Sequence, residues 1–214
     1  MKDFKIRCSA IGQIMTSPKS KTDLLSKTTQ TYLDEWAKEQ IYSRRKLITT
    51  KYMDKGNVNE DQAIEFVSTM HPEWPLLIKN SEYFEDDFMT GTPDLVFDGQ
   101  VIDIKCSWDC FTFPLFENYL PEKSYYWQLQ GYFNLTGAKK GRIIYVLTNT
   151  PEEQVNREIK YNPEKEDEII AYHSYRGIKD ELKIKEFEVL RNDDDIDLIR
   201  SRVKECRQYL TTIL

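Results

Sequence analysis

The stretch GTPDLVFDGQVIDIK, residues 91–105, constrains the fold more than any other. It sets Asp98-Gly99 between two alternating apolar runs. That dipeptide favours the two-residue hairpin turn, whose central positions both need positive φ. Once the turn is fixed, so is the register. Phe97 faces Gln100, Val96 faces Val101 and Leu95 faces Ile102. Asp94 then falls opposite Asp103, and Thr92 opposite Lys105. Side chains alternate along a strand. Leu95, Phe97, Ile102 and Ile104 therefore share an apolar core face, while Asp94, Asp103, Lys105 and Thr92 share the other with Val96 and Val101.

Directly opposed like charges destabilise a sheet pair. Carboxylates ~5 Å apart either repel or share a proton. A bound cation removes the conflict, and hard divalent ions prefer such oxygen ligands. An exposed hairpin with solvated acids is the competing outcome. The lysine alongside and the apolar face behind favour a metal site. A one-residue shift of register would turn Asp103 and Lys105 to the other face.

Two further segments bear on the same place. In NEDQAIEFV, Glu60 opens the stripe Ala63, Ile64, Val67, at helical spacing. It is either a third carboxylate delivered inward or a first-turn acid favoured by the helix dipole; the residues alone leave both open. In SYYWQLQGYFNLTG, Gln130 falls between Tyr126 and Phe133 on a largely apolar helix. A buried glutamine needs partners, either backbone groups or a water or lysine in an active site. Gln128 lies on a different face and is the weaker candidate.

Along the rest of the chain, Ser9 is placed to cap a short helix through Met15. A long helix is expected from about Thr28 to Ile48. A second, capped by Asn59, runs to about Met70 and is closed by His71-Pro72. Residues 82–106 switch to strand-like composition. Ser124–Thr136 reads as a helix stopped by Gly137, and Arg142–Leu147 as a buried strand. Pro151 to about Lys160 reads as helical, and 162–180 is polar without a clear pattern. Lys183–Leu190 alternates like a strand. Asp193–Leu214 reads as an amphipathic helix with Ile196, Ile199, Val203, Cys206 and Leu210 on its apolar stripe. The acids Asp193, Asp194 and Asp195 favour that helix's N-terminus and take no metal role. This order suggests an α/β (α+β) domain, a mixed sheet flanked by helices.

Composition sets bounds around this reading. The 214 residues suffice for one domain with a real core. Hydrophobic residues at 40% and charged residues at 31% suit a soluble globular protein. No apolar run approaches the ~20 residues of a membrane span. The opening MKDFKIRCSAIG lacks a signal-peptide core, so a cytosolic protein is expected. Cys8, Cys106, Cys110 and Cys206 match neither a zinc ribbon nor a disulfide scaffold. They are expected as reduced thiols, and no iron–sulfur cluster is expected. The net charge of −6 argues weakly against nucleic acid, but phosphate binding needs only a local basic surface. Arg44, Arg45, Lys46, Lys51 and Lys55 are candidates for one, or for a plain solvated helix face.

Glu60, then TPD ending at Asp94, then Asp103-Ile104-Lys105 resembles the core of the PD-(D/E)xK nucleases. More narrowly, the chain resembles the phage-type recombination exonucleases, the group of bacteriophage lambda exonuclease and its YqaJ-like relatives. IRCSAIGQIM resembles their opening arginine and serine motif. GNVNE resembles their glycine–glutamate motif, and WQLQGYFNLTG their QxQ helix ending in threonine. These motifs span residues 6–137; beyond Gly137 the resemblance says nothing. Asp103 stands where many relatives have glutamate, a shorter but equivalent ligand.

The resemblance implies a restriction-endonuclease-like core in a single domain, 1–214. It implies that Asp94 and Asp103 bind Mg²⁺, for which Mn²⁺ substitutes, with the main-chain carbonyl of Ile104 completing the shell. Glu60 would act directly or through water, Lys105 would orient or help deprotonate the attacking water, and Gln130 would orient Lys105 or the water. Arg7, Ser9 and Thr92 match positions that form a pocket for a 5′-terminal phosphate. The implied activity is 5′–3′ digestion of one strand of duplex DNA, beside a single-strand annealing protein and in a homotrimer. The implied setting is the cytoplasm of a bacterial host of a phage or prophage. A structure-specific or RecB-like endonuclease is the alternative on the same fold. A non-catalytic DNA-binding assembly protein is a third, against which the intact Asp, Asp and Lys set argues.

Overall fold

The computed structural model describes residues 3–20, 22–47 and 50–214, apart from the side chain of Tyr52. The chain opens with strand β1 (Ile6–Arg7), a 3-10 turn (Cys8–Ala10) and helix α1 (Ile11–Ile14). Helices α2 (Lys27–Tyr42) and α3 (Lys51–Met70) follow. Then come strands β2 (Phe84–Glu85), β3 (Met89–Gly91), β4 (Leu95–Phe97) and β5 (Gln100–Cys106). Helix α4 (Lys123–Thr136) leads to β6 (Lys140–Val146). After α5 (Glu152–Tyr161) and α6 (Glu166–His173), β7 (Ile184–Leu190) precedes α7 (Asp193–Ile213).

Two mixed sheets result. The smaller has the order β1-β3-β2 and the larger β4-β5-β6-β7. In the larger sheet, β5 and β6 run parallel and the other pairs antiparallel. A parallel neighbour requires a crossover, which α4 supplies. Helices flank both sheet faces. On one face, Val101, Ile143, Tyr145 and Phe187 pack with residues of α1, α2, α4 and α7. On the other, Leu95, Ile102, Ile104, Ile144 and Val146 pack against Ala63, Ile64 and Val67 of α3.

The first of these packings corrects the one-sided core expected of the hairpin. Val101 is as fully buried as Ile102, because the crossover lays α4 over the face that carries it. Only Val96, on the short edge strand β4, stays exposed.

Local chemistry explains most boundaries. Ser26 caps α2 by accepting from the Thr29 amide at 3.0 Å. Thr50 caps α3 through Met53. Asn192 caps α7 by accepting from Asp194 and Asp195. Gly137 ends α4 at φ 76°, in the left-handed region. The expected stripe of α7, Ile196 to Leu210, is buried.

Four expectations shift. Helix α2 ends at Tyr42 because Ser43 turns left-handed, at φ 50°; the expected end at Ile48 lies outside the described residues. Helix α3 begins at Lys51, capped by Thr50, so Asn59 is mid-helix. Its amide reaches Thr148 Oγ1 at 2.9 Å and the Asn149 carbonyl at 2.7 Å. A tertiary partner thus satisfies a side chain that looked like a cap. Ser9 lies inside the 3-10 turn rather than capping a helix. The unplaced segment 162–180 contains α6. No helix among the described residues is long and apolar enough to cross a membrane.

Candidate active site

The hairpin has the register its turn chemistry dictates. Asp98 and Gly99 both take positive φ, 47° and 68°, and Leu95, Val96 and Phe97 pair with Ile102, Val101 and Gln100. One further step places Asp94 across from Asp103. The Asp94 carboxylate accepts a hydrogen bond from the Ile104 amide at 2.7 Å. Asp103 is 1% exposed and faces α4. Its Oδ1 accepts from Gln128 Nε2 at 2.8 Å. Its Oδ2 lies 2.5 Å from Lys105 Nζ, a close ion pair without a directed hydrogen bond.

Helix α4 supplies one stripe to this place. The Tyr125 ring lies 4.5 Å from Lys105 Nζ. Gln128 accepts from Lys105 at 3.4 Å and donates to the Tyr132 hydroxyl at 3.1 Å. Tyr132 donates in turn to the Thr92 carbonyl at 3.2 Å. Residues 125, 128 and 132 follow helical spacing, so one face of α4 grips Asp103, Lys105 and the segment just before Asp94.

Gln130 is not part of this network. It is fully buried, donates to the Leu190 carbonyl at 2.8 Å and accepts from the Asn192 amide at 2.8 Å. It ties α4 to the β7–α7 junction. Its apolar neighbours belong to the core rather than to the site: the Tyr126 hydroxyl bonds Asp195 of α7, and the Phe133 ring lies against Gly141 of β6. The signal for Gln128 was the stripe it shares with Tyr125 and Tyr132.

Glu60 is half-buried and pairs with Lys79 at 2.7 Å. Its negative charge acts on Asp94, so it lies within electrostatic reach of the hairpin. Among the described residues, no three His, Cys, Asp or Glu side chains converge as a ready metal cage. The local donors are the opposed pair, with Glu60 held aside by Lys79.

Two opposed carboxylates and one lysine set the electrostatics of the site. Burial, and then the charge of Asp103, push the Asp94 carboxyl up to about 7, against the Ile104 amide and Lys105. Burial works to lower Lys105, but the carboxylates of Asp103 and Asp94 outweigh it and hold its ammonium above the ordinary lysine value. The two opposed carboxylates are a donor set that fits a hard divalent ion, which would relieve the crowding of their charges.

Arg7, Ser9 and Thr92 are exposed. β1 runs beside β3, with Arg7 paired to Thr90, two residues before Thr92. The Arg7 guanidinium lies close to the Tyr32 hydroxyl. Among the expected basic surface residues, Arg44, Arg45, Lys46 and Lys51 are exposed, and Lys46 pairs with Glu35. Lys55 is not a surface residue. It is 1% exposed and donates to the Trp108 and Thr148 carbonyls, each at 2.8 Å. Burial pushes its ammonium down to about 8. Its work is to pin the connection after β5.

No family model matches the chain, and no curated protein does. Solved structures do. A phage-related exonuclease from Haemophilus somnus 129PT is 29% identical, with a TM-score of 0.82 over 100% of this chain and 98% of that one. An alkaline exonuclease from Laribacter hongkongensis, LHK-Exo, is 15% identical, with a TM-score of 0.68 over 97% and 92%. LHK-Exo in complex with dAMP gives 16% and 0.69, over 97% and 88%.

Proposed function

We propose, from the premise that this chain is a nuclease of the phage exonuclease type on a PD-(D/E)xK core, that it is a Mg²⁺-dependent deoxyribonuclease digesting one strand of duplex DNA from a 5′ end. The observation that carries the reading is the opposition of Asp94 and Asp103 with Lys105 ion-paired beside them. Asp94, Asp103 and the Ile104 carbonyl would hold Mg²⁺ or Mn²⁺, with Glu60 joining on leaving Lys79. The bound ion would polarise the scissile phosphate and acidify an attacking water.

The chain's own residues divide the remaining work. Lys105 sits against the Asp103 carboxylate, beside the place the ion would take. It orients the attacking water and offsets charge on the phosphate. Gln128 holds the Asp103 and Lys105 side chains at once, taking the part first given to Gln130. Arg7, Ser9 and Thr92 would take the terminal phosphate, Arg7 as a planar donor pair. The LHK-Exo complex with dAMP supports nucleotide binding on this fold. The resemblance to lambda exonuclease extends the proposal to a homotrimer acting beside a single-strand annealing protein, which sedimentation would test.

Purified protein with linear duplex DNA and Mg²⁺ is the direct experiment. Linear DNA should be degraded, 5′-phosphorylated ends faster, and covalently closed circles left intact. Cleavage of circles would give the reaction to an endonuclease instead.

The two glutamines separate chemistry from folding. Gln128→Ala should slow hydrolysis by the folded fraction about 10–100-fold, as for loss of a residue orienting metal ligands. Gln130→Ala should leave the rate of the folded fraction nearly unchanged. It strands a buried carbonyl and amide and should cost about 2 kcal/mol of stability. The opposite pattern would return the catalytic part to Gln130.

A further inference from the structure

The segment that leads from α3 to the sheets carries two adjacent residues that reach the candidate site. Lys79 Nζ lies 2.7 Å from Glu60 Oε2. Beside it, the Asn80 amide donates to the Asp94 carbonyl at 2.7 Å, and Asn80 Nδ2 donates to the Pro93 carbonyl at 3.0 Å. Asn80 also closes its own turn, donating to the Glu82 carbonyl at 3.1 Å and accepting from the Glu82 amide at 3.0 Å. The backbone next to Lys79 is thereby bolted to Asp94 itself.

The backbone that carries Glu60 is fixed as well. Asn59, one residue before it, is buried and bonds Thr148 and Asn149. Lys55, on the same helix, holds the Trp108 and Thr148 carbonyls. What is left to move is the pair of side chains. Glu60 is 25% exposed and Lys79 49%, so neither is locked in the core. The Lys79 ammonium feels Glu60 first, then Asp61 and Asp94, and the charge of Glu60 acts in turn on Asp94.

We propose that Lys79 is a positioning residue for Glu60: it occupies that carboxylate in the metal-free protein, and a divalent ion held by Asp94 and Asp103 takes Glu60 from it. The inference rests on the metal-dependent nuclease reading above. Lysine suits the part, because its ammonium is a point charge on a flexible stem and an ion pair this exposed is weak. With both backbones anchored, the exchange needs only side-chain rotation. The same anchoring keeps Lys79 at the edge of the site after Glu60 has left it.

Titration of the full chain with Mn²⁺, without DNA, tests this; the paramagnetic resonance signal of the free ion reports the affinity. Lys79→Met should tighten binding about two- to fivefold, the weight of an exposed ion pair removed as a competitor. Lys79→Arg, which keeps the pair, should bind as the wild type does. In a Glu60→Gln background, Lys79→Met should change the affinity no further, because the lysine acts through that carboxylate. Equal tightening with and without Glu60 would overturn the inference, since Lys79 would then be one more positive charge near the ion. So would unchanged or weaker binding in Lys79→Met. In EDTA that variant should melt close to the wild type; one that unfolds would make the lysine structural and also overturn the inference. If wild-type protein binds Mn²⁺ and the Lys79 variants match it, this inference fails alone. If wild-type protein binds no divalent ion, the metal-dependent reading fails with it.

Discussion

Asp103→Asn should lower the rate of duplex degradation by about a thousandfold or more, on the order of 4 kcal/mol of barrier, while the protein stays folded. The substitution keeps the shape of the side chain and an oxygen to accept from Gln128 at 2.8 Å. It removes the charge that holds Lys105 at 2.5 Å and one of the two opposed anions that would hold the cation. Lys105→Ala should lose as much, since it removes the cation beside the phosphate. The double variant should lose no more than the worse single one, because residues acting as a unit are not additive. Single-turnover rates with far-ultraviolet circular dichroism as the folding control check this. More than a tenth of the wild-type rate in Asp103→Asn would place the chemistry elsewhere.

The hairpin was legible because its information is local. Asp98-Gly99 sets the turn, the turn sets the register, and the structure has that register. The α7 stripe and the Gly137 stop were legible for the same reason. What needed the structure depends on residues far apart in sequence. Both Gln128 and Gln130 lie on an apolar helix. Which one meets Asp103 depends on how α4 rolls against β5 on one side and the β7–α7 junction on the other. Asn59 looked like a cap, and only the approach of Thr148 and Asn149 accounts for it as a mid-helix residue. Lys55 looked like a surface cation for the same reason: its carbonyl partners are 53 and 93 residues away. Glu60 and Lys79 are separated by 19 residues, and no helical or strand period connects them. The second buried face of β5 follows from the α4 crossover, which the alternation within one hairpin does not encode.

Asp94→Asn should abolish degradation and also make the metal-free protein more stable at neutral pH. Folding places this carboxyl where burial and Asp103 raise it from the ordinary 3.8 to about 7. The folded state therefore binds a proton that the unfolded chain releases between those values. Stability falls as pH rises from about 4 to about 7, and the whole penalty is present above 7. Asparagine carries no charge and keeps an oxygen for the Ile104 amide, so the variant avoids that penalty. The gain should be on the order of 2 kcal/mol above pH 7 and vanish near pH 4. Thermal melts of both proteins in EDTA across this range measure the difference directly. Adding Mg²⁺ at pH 8 should then raise the melting temperature of the wild-type protein, because a ligand that binds only the folded state stabilises it. The variant, lacking one anion of the pair, should respond weakly. Equal melting curves for the two proteins in EDTA at pH 8 would mean that Asp94 bears no electrostatic strain. The opposed carboxylates would then be a structural pair, balanced by Lys105 and their hydrogen bonds, rather than half of a metal site.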